Sequence, residues 1–100
     1  MVKLTVLYGH PKDPAAFERY YAETHLPLAA KMTGHTRIEV SKVVGAPGGG
    51  QPAFYRMANV YFDSPAQLDA TMGSPAGKAV AEDLPKFATG GVTLFVSEMQ

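Results

Sequence analysis

The sequence predicts an α+β domain in which a four-stranded antiparallel sheet carries helices on one face. Three observations lead there. Segments 2–8, 35–44, 53–63 and 92–99 alternate apolar and polar residues, the period of a strand. Between them lie helix-start signatures at Asp13-Pro14, Ser64-Pro65 and Ser74-Pro75, each a good capping residue followed by a proline suited to the first helical position. The second and third alternating segments are joined only by GAPGGGQP (45–52), a Gly/Pro-rich loop without core-forming residues, so they pair as an antiparallel hairpin. The order is βαββαβ, the ferredoxin-like arrangement.

Each element has its own signal. In VKLTVLY (2–8), Val2, Leu4, Val6 and Tyr8 share one face, and Gly9 and Pro11 end the strand. The helix beginning near Pro14 places Phe17, Tyr20, Tyr21, Thr24 and Leu28 on one stripe, with His25 at its edge, ~80° from Phe17, and Leu26 on the opposite, exposed side. Pro27 disfavours helical backbone at Leu26, so the helix kinks or re-registers there and resumes through Lys31. After the hairpin, Ser64 caps a short helix ending near Met72, with Gln67 reaching back to the cap and Gly73 as the stop. Ser74-Pro75 opens another, carrying Val80, Ala81 and Leu84 on one face, and Gly90-Gly91 turn the chain into the last strand.

Period-two counting assigns Val2, Leu4, Val6, Ile38, Val40, Ala58, Val60, Phe62, Val92, Leu94 and Val96 to the helix-facing side of the sheet. The opposite side mixes Leu7, Tyr55, Met57, Tyr61 and Phe95 with Thr5, Asn59, Thr93 and Ser97. That face is too apolar for open water and too polar for a deep core, which predicts that a second copy of the same sheet packs on it.

Composition narrows the function. One hundred residues make one domain, and 46% apolar with 18% charged residues is the composition of a folded protein. Lys plus Arg and Asp plus Glu number nine each with no basic run, so no nucleic-acid or anionic-membrane footprint exists. The absence of cysteine removes disulfides, thiolate metal sites and cysteine nucleophiles. MVKLTVLYGH is too short and too alternating for a signal peptide, and no stretch approaches the ~20 apolar residues of a membrane span; a cytoplasmic location is expected.

Among groups able to do chemistry, His25 stands first. Its ring can reach the space between helix and sheet, where an imidazole passes protons near neutrality. The alternative is a histidine that caps the broken helix by bonding a freed carbonyl. Tyr21, four residues earlier, and Tyr8, ending the first strand, could each bond a ligand or His25, or serve as core aromatics. His10 could line a pocket mouth or stand exposed in its loop, and His35 carries no pattern. The three histidines lack metal-ligand spacing, and Glu18, Glu23, Asp69, Glu82 and Asp83 read as solvated helix faces, so no metal is expected. Gly48-Gly49-Gly50 joins strand to strand and is no phosphate loop, and no serine sits in a nucleophile elbow.

Three segments carry a resemblance: VLYGHPKDPAAFERYYAETHLPLAAKM (6–32), PAFYRMANVYFDSPAQLDATMGSP (52–75) and FATGGVTLFV (87–96). With the strand order, they make the chain similar to the EthD family of the dimeric α+β barrel superfamily. The resemblance implies a homodimer whose two sheets close into a shared barrel with the helices outside. It also implies a pocket between sheet and helices in each protomer, of the kind used by cofactor-free isomerases, cyclases, decarboxylases and oxygenases and by some haem enzymes. The family's helix-one histidine corresponds to His25. In related lactone isomerases that histidine works beside a tyrosine and a cysteine; the matching positions here look like Ile38 and Val60, which move no proton, so that particular chemistry is not expected. Nor is the tryptophan often used by quinone-forming monooxygenases present.

The expectation is therefore a cytoplasmic homodimer with an apolar pocket floored by Tyr8, Ile38, Val40, Val60 and Phe62, walled by Tyr21 and His25, with His10 near the mouth. It would act without a cofactor on a small hydrophobic, oxygenated compound as an isomerase, lyase or monooxygenase, His25 serving as acid or base and Tyr21 or Tyr8 orienting an oxygen. The alternatives are a non-catalytic binder of such a compound in a degradation pathway and a haem-binding barrel protein.

Overall fold

The computed structural model describes residues 1–100. In order it holds β1 (Val2–Tyr8), α1 (Pro14–Tyr20), a π-helical turn (Tyr21–His25), α2 (Leu26–Ala29), β2 (Arg37–Lys42), β3 (Arg56–Phe62), α3 (Pro65–Gly73), α4 (Pro75–Phe87) and β4 (Val92–Glu98). The sheet order is β2-β3-β1-β4 and every neighbouring pair is antiparallel. Its register aligns Ile38, Val60, Leu4 and Val96 in one row across the four strands and Val40, Ala58, Val6 and Leu94 in the next. These rows are the expected helix-facing set.

The helices cover that face unevenly. Val2, Leu4, Val6, Ala58, Val60 and Phe62 on the two central strands are buried, and a Leu, Val or Phe so buried contributes ~1.5–3 kcal/mol. On the edge strands Val40 is 42% exposed, Leu94 44% and Val96 53%, so β4 in particular lies largely uncovered. On the opposite face Thr5 and Asn59 are buried and bonded to each other at 2.7 Å, a polar pair closed on itself amid partly buried Leu7, Met57 and Tyr61.

Three local expectations change. The strands of the hairpin are shorter than their alternating segments, and Tyr55 leaves the sheet pattern. Its ring packs edge-on against Phe17 at 5.2 Å and its hydroxyl donates to Glu18, because that places a large aromatic in the helix–sheet core. The Gln67 side chain turns forward to Thr71, not back to the cap; the Gln67 backbone N–H donates to Ser64 Oγ. The third change concerns the first helix and decides the site. The Leu26 N–H donates to the Tyr21 carbonyl, five residues back, so of the two expected outcomes ahead of Pro27, a kink or a change of register, the helix takes the second through one wide turn. The extra residue in that turn rotates everything after it: His25 moves from the stripe's edge to full burial, Thr24 moves out to solvent, and Leu26 is half-buried against the core.

The relative placement of α1 and α4 is locked at one end by backbone contact. The Gly9 N–H donates to Gly91 and the Lys12 N–H to Thr89 Oγ1. A Cβ on Gly9 would lie 2.1 Å from the Gly90 carbonyl oxygen, and one on Gly90 2.2 Å from that of His10. Only glycine permits the two loops to touch in this way, which is the physical content of the ATGG sequence before β4.

Candidate functional site

The π-helical turn brings Tyr21 and His25 to one side, with their rings stacked at 5.6 Å. Facing them across the helix layer is α4, whose Val80, Leu84 and Phe87 are buried on one stripe together with Asp83. Phe87 is the hub: its ring lies 4.6 Å from His25, 5.3 Å from Tyr20 and 5.6 Å from Tyr8.

Asp83 is 2% exposed and both its oxygens are engaged. His25 Nδ1 lies 3.0 Å from Oδ2, and the Tyr20 hydroxyl donates to Oδ1 at 2.6 Å. Lys86 approaches the same carboxylate from the solvent side at 4.0 Å. Burial alone would raise the Asp83 pKa. The hydrogen bonds from Tyr20 and His25, with the nearby positive charges, outweigh it and hold the carboxyl below its ordinary range. Asp83 is thus a carboxylate at neutral pH, and the same bond pushes the Tyr20 phenol up. A carboxylate can only accept, so His25 presents Nδ1–H to it and keeps Nε2 for a second partner.

His25 borders a cavity of about 60 Å³ between the helices and the sheet. That exceeds the ~10–15 Å³ a single water needs. Fifteen of its sixteen lining residues are hydrophobic; Ile38, Val40 and Val60 contribute from the sheet, Leu26, Met32 and Leu84 from the helices. His25 is the only titratable nitrogen or carboxyl group on the wall.

Tyr21 also lines the cavity and is 2% exposed. Its hydroxyl finds no partner of hydrogen-bonding geometry, although the Tyr8 phenol lies close by. Burial pushes the Tyr21 phenol up, so it stays a donor. The Arg56 guanidinium sits 4.7 Å from the centre of its ring and is itself committed to Glu18, with Nη2 to Oε1 at 2.5 Å.

Five of the eight residues expected at the site therefore line the cavity: Tyr21, His25, Ile38, Val40 and Val60. Three do not. Tyr8 and Phe62 face the helices but are consumed by packing, 1% and 0% exposed. His10 stands in its exposed loop, where Nε2 meets the Pro52 carbonyl at 2.7 Å and ties down the end of the 45–52 loop. Two acids read as solvated are not: Glu18 joins Arg56 and Tyr55, and Asp83 is the buried partner of His25. The signal for Asp83 was available. Counting ~100° per residue from Val80 puts Phe87 at ~−20° and Asp83 at ~−60°, so the acid belongs to the apolar stripe, where a carboxylate requires a partner.

The model of the EthD domain matches residues 10–91. An uncharacterized 11.0 kDa protein from the thcB–thcC intergenic region of Rhodococcus erythropolis is 36% identical over 98 residues, covering 98% of this chain and 94% of that one. The crystal structure of an ethyl tert-butyl ether D (EthD) family protein from Bacillus halodurans is 39% identical. It superimposes with a TM-score of 0.93 over 100% of this chain and 99% of that one. A dimeric protein of unknown function and ferredoxin-like fold from Bacteroides fragilis shares the fold at 18% identity and a TM-score of 0.68, over 98% and 95% of the two chains. With its sheet, its helix layer and the 10–91 match, the chain belongs to the EthD family.

Proposed function

We propose that this protein is a cofactor-independent acid–base catalyst acting on a small, hydrophobic, oxygenated compound. The observation that carries the reading is the His25–Asp83 pair, 3.0 Å apart, at the wall of an otherwise apolar cavity. His25 Nε2 removes a proton from the bound compound while Nδ1–H stays bonded to Asp83, whose charge stabilises the imidazolium. The proton then returns to a different atom of the same molecule, an isomerisation, or to a leaving group, an elimination. Either sequence balances without an oxidant or reductant. The Tyr21 hydroxyl would donate to the compound's oxygen, which would end its isolation in the protein interior. Histidine acid–base catalysis contributes ~10²–10⁴-fold. His25→Ala should lower turnover of any accepted compound by about that factor with the fold intact, and an unchanged rate would remove His25 from the mechanism.

The near-complete apolarity of the lining supports a second reading, a binder that carries the compound without transforming it. Affinity independent of pH between 5 and 8 would favour the binder. A haem is a poor fit: His25 Nε2 could ligate iron, but a cavity of about 60 Å³ has no room for a porphyrin.

The working unit in this reading is a cytoplasmic homodimer joined through the open face of the sheet. Support comes from Phe95, 48% exposed on that face among partly buried apolar neighbours, and from the unpaired edges of β2 and β4. No helix is long and apolar enough to cross a membrane.

A further inference from the structure

Resting on the acid–base reading of the cavity, we infer that the site selects neutral ligands and rejects carboxylates, and that Asp83 is the residue that sets this preference. The chemistry of the wall is one-sided. No lysine or arginine lines the cavity. Of the cations on the sheet strands, Arg56 is paired with Glu18 and lies 4.7 Å from the centre of the Tyr21 ring, Arg37 is paired with Glu39, and Lys42 lies 5.5 Å from the Tyr55 ring centre. Lys86, the one cation beside Asp83, is two-thirds exposed and approaches from solvent, with the carboxylate between it and His25.

An anion entering the cavity would lose its hydration to hydrocarbon walls and gain no cation in return. It would also meet the field of a buried carboxylate one imidazole away, in surroundings where charges interact far more strongly than in water. A neutral lactone, ketone or ester escapes both penalties. Its hydrocarbon frame packs against Ile38, Met32 and Leu84. The same charge that repels a carboxylate supports the proton transfer, because Asp83, behind the wall, stabilises positive charge on His25. The preferred class is therefore a small, uncharged carbonyl compound, presented to His25 before any ring opening or hydrolysis has created an acid.

The test is a matched pair at pH 8: γ-butyrolactone and its ring-opened anion, 4-hydroxybutyrate, titrated separately into the methyl-labelled protein. The methyl resonances of Ile38, Met32 and Leu84 are followed. The lactone is expected to shift all three saturably, with the anion binding at least tenfold more weakly. In Asp83→Asn the ratio should shrink to within about threefold. Should Asp83→Asn not fold, the wild-type ratio still decides whether the site discriminates by charge. Equal binding of the two probes to the wild type would overturn the selectivity while leaving a ligand cavity beside His25. A tenfold preference unchanged in Asp83→Asn would assign it to the lining and overturn the role of Asp83. If neither probe moves these methyls, the cavity is not a ligand site and both readings fall.

Discussion

Replacing Asp83 by alanine removes a group that is 2% exposed and fully bonded, and the structure sets the size of the loss. His25, 4% exposed, cannot recruit water for its orphaned Nδ1–H, which costs ~1–3 kcal/mol. Tyr20 is half-buried and recovers a water partner, so losing its bond costs about 1 kcal/mol. Relief of the carboxylate's desolvation offsets part of this. A net destabilisation of about 2 kcal/mol follows, a large fraction of the ~5–15 kcal/mol that holds a domain together. With a urea slope of about 1.5 kcal/mol per molar, the unfolding midpoint should fall by about 1.3 M at fixed protein concentration. Glu82→Ala, one residue away and exposed, supplies the control and should stay within ~0.5 kcal/mol of wild type. If Asp83→Ala lands within 1 kcal/mol of Glu82→Ala, the carboxylate is not part of a buried network and the description of the site is wrong.

Tyr21→Phe should stabilise the protein by about 1 kcal/mol, because it removes a buried hydroxyl without a partner, while weakening ligand binding; thermal unfolding and titration measure the two arms. Acid should expose the Asp83 linkage. Its folded pKa lies below the unfolded value, so its stabilisation is complete above pH ~4 and is lost as pH falls through the folded pKa. Urea midpoints between pH 5 and 2 should therefore decline in the wild type and decline less in Asp83→Asn. The proposed homodimer should lose its interface in Phe95→Glu, midway along edge strand β4 on the sheet's open face: sedimentation at micromolar concentration should then report a monomer where the wild type reports a dimer.

Much of this architecture was legible in the chain because period-two alternation fixes which residues share a sheet face, and the observed register aligns the expected apolar set in rows. Proline and serine marked the helix starts for the reasons that operate in the structure: the Asp13, Ser64 and Ser74 side chains each accept a first-turn N–H. The π-helical turn was not legible. Nothing in YAETH distinguishes a backbone hydrogen bond reaching back five residues from one reaching back four; packing of both Tyr21 and His25 against Phe87 selects the wider turn. Tyr8 and Phe62 were placed on the correct face, but face does not determine depth, and both lie under the helices where no space remains. Asp83 was missed through its residue type. Acids on helices are usually solvated, and only its angular position beside Phe87 betrays that this one is buried.

The most direct test of the account is exchange of the α-protons of cyclopentanone in D₂O, followed by proton NMR with wild type and His25→Ala. Wild-type protein should accelerate exchange above buffer, and His25→Ala should lose that acceleration by ~10²–10⁴-fold while the ketone still perturbs the methyls of Ile38 and Leu84. Exchange that persists undiminished in His25→Ala, with the ketone bound, would contradict the claim that this imidazole moves protons in the cavity.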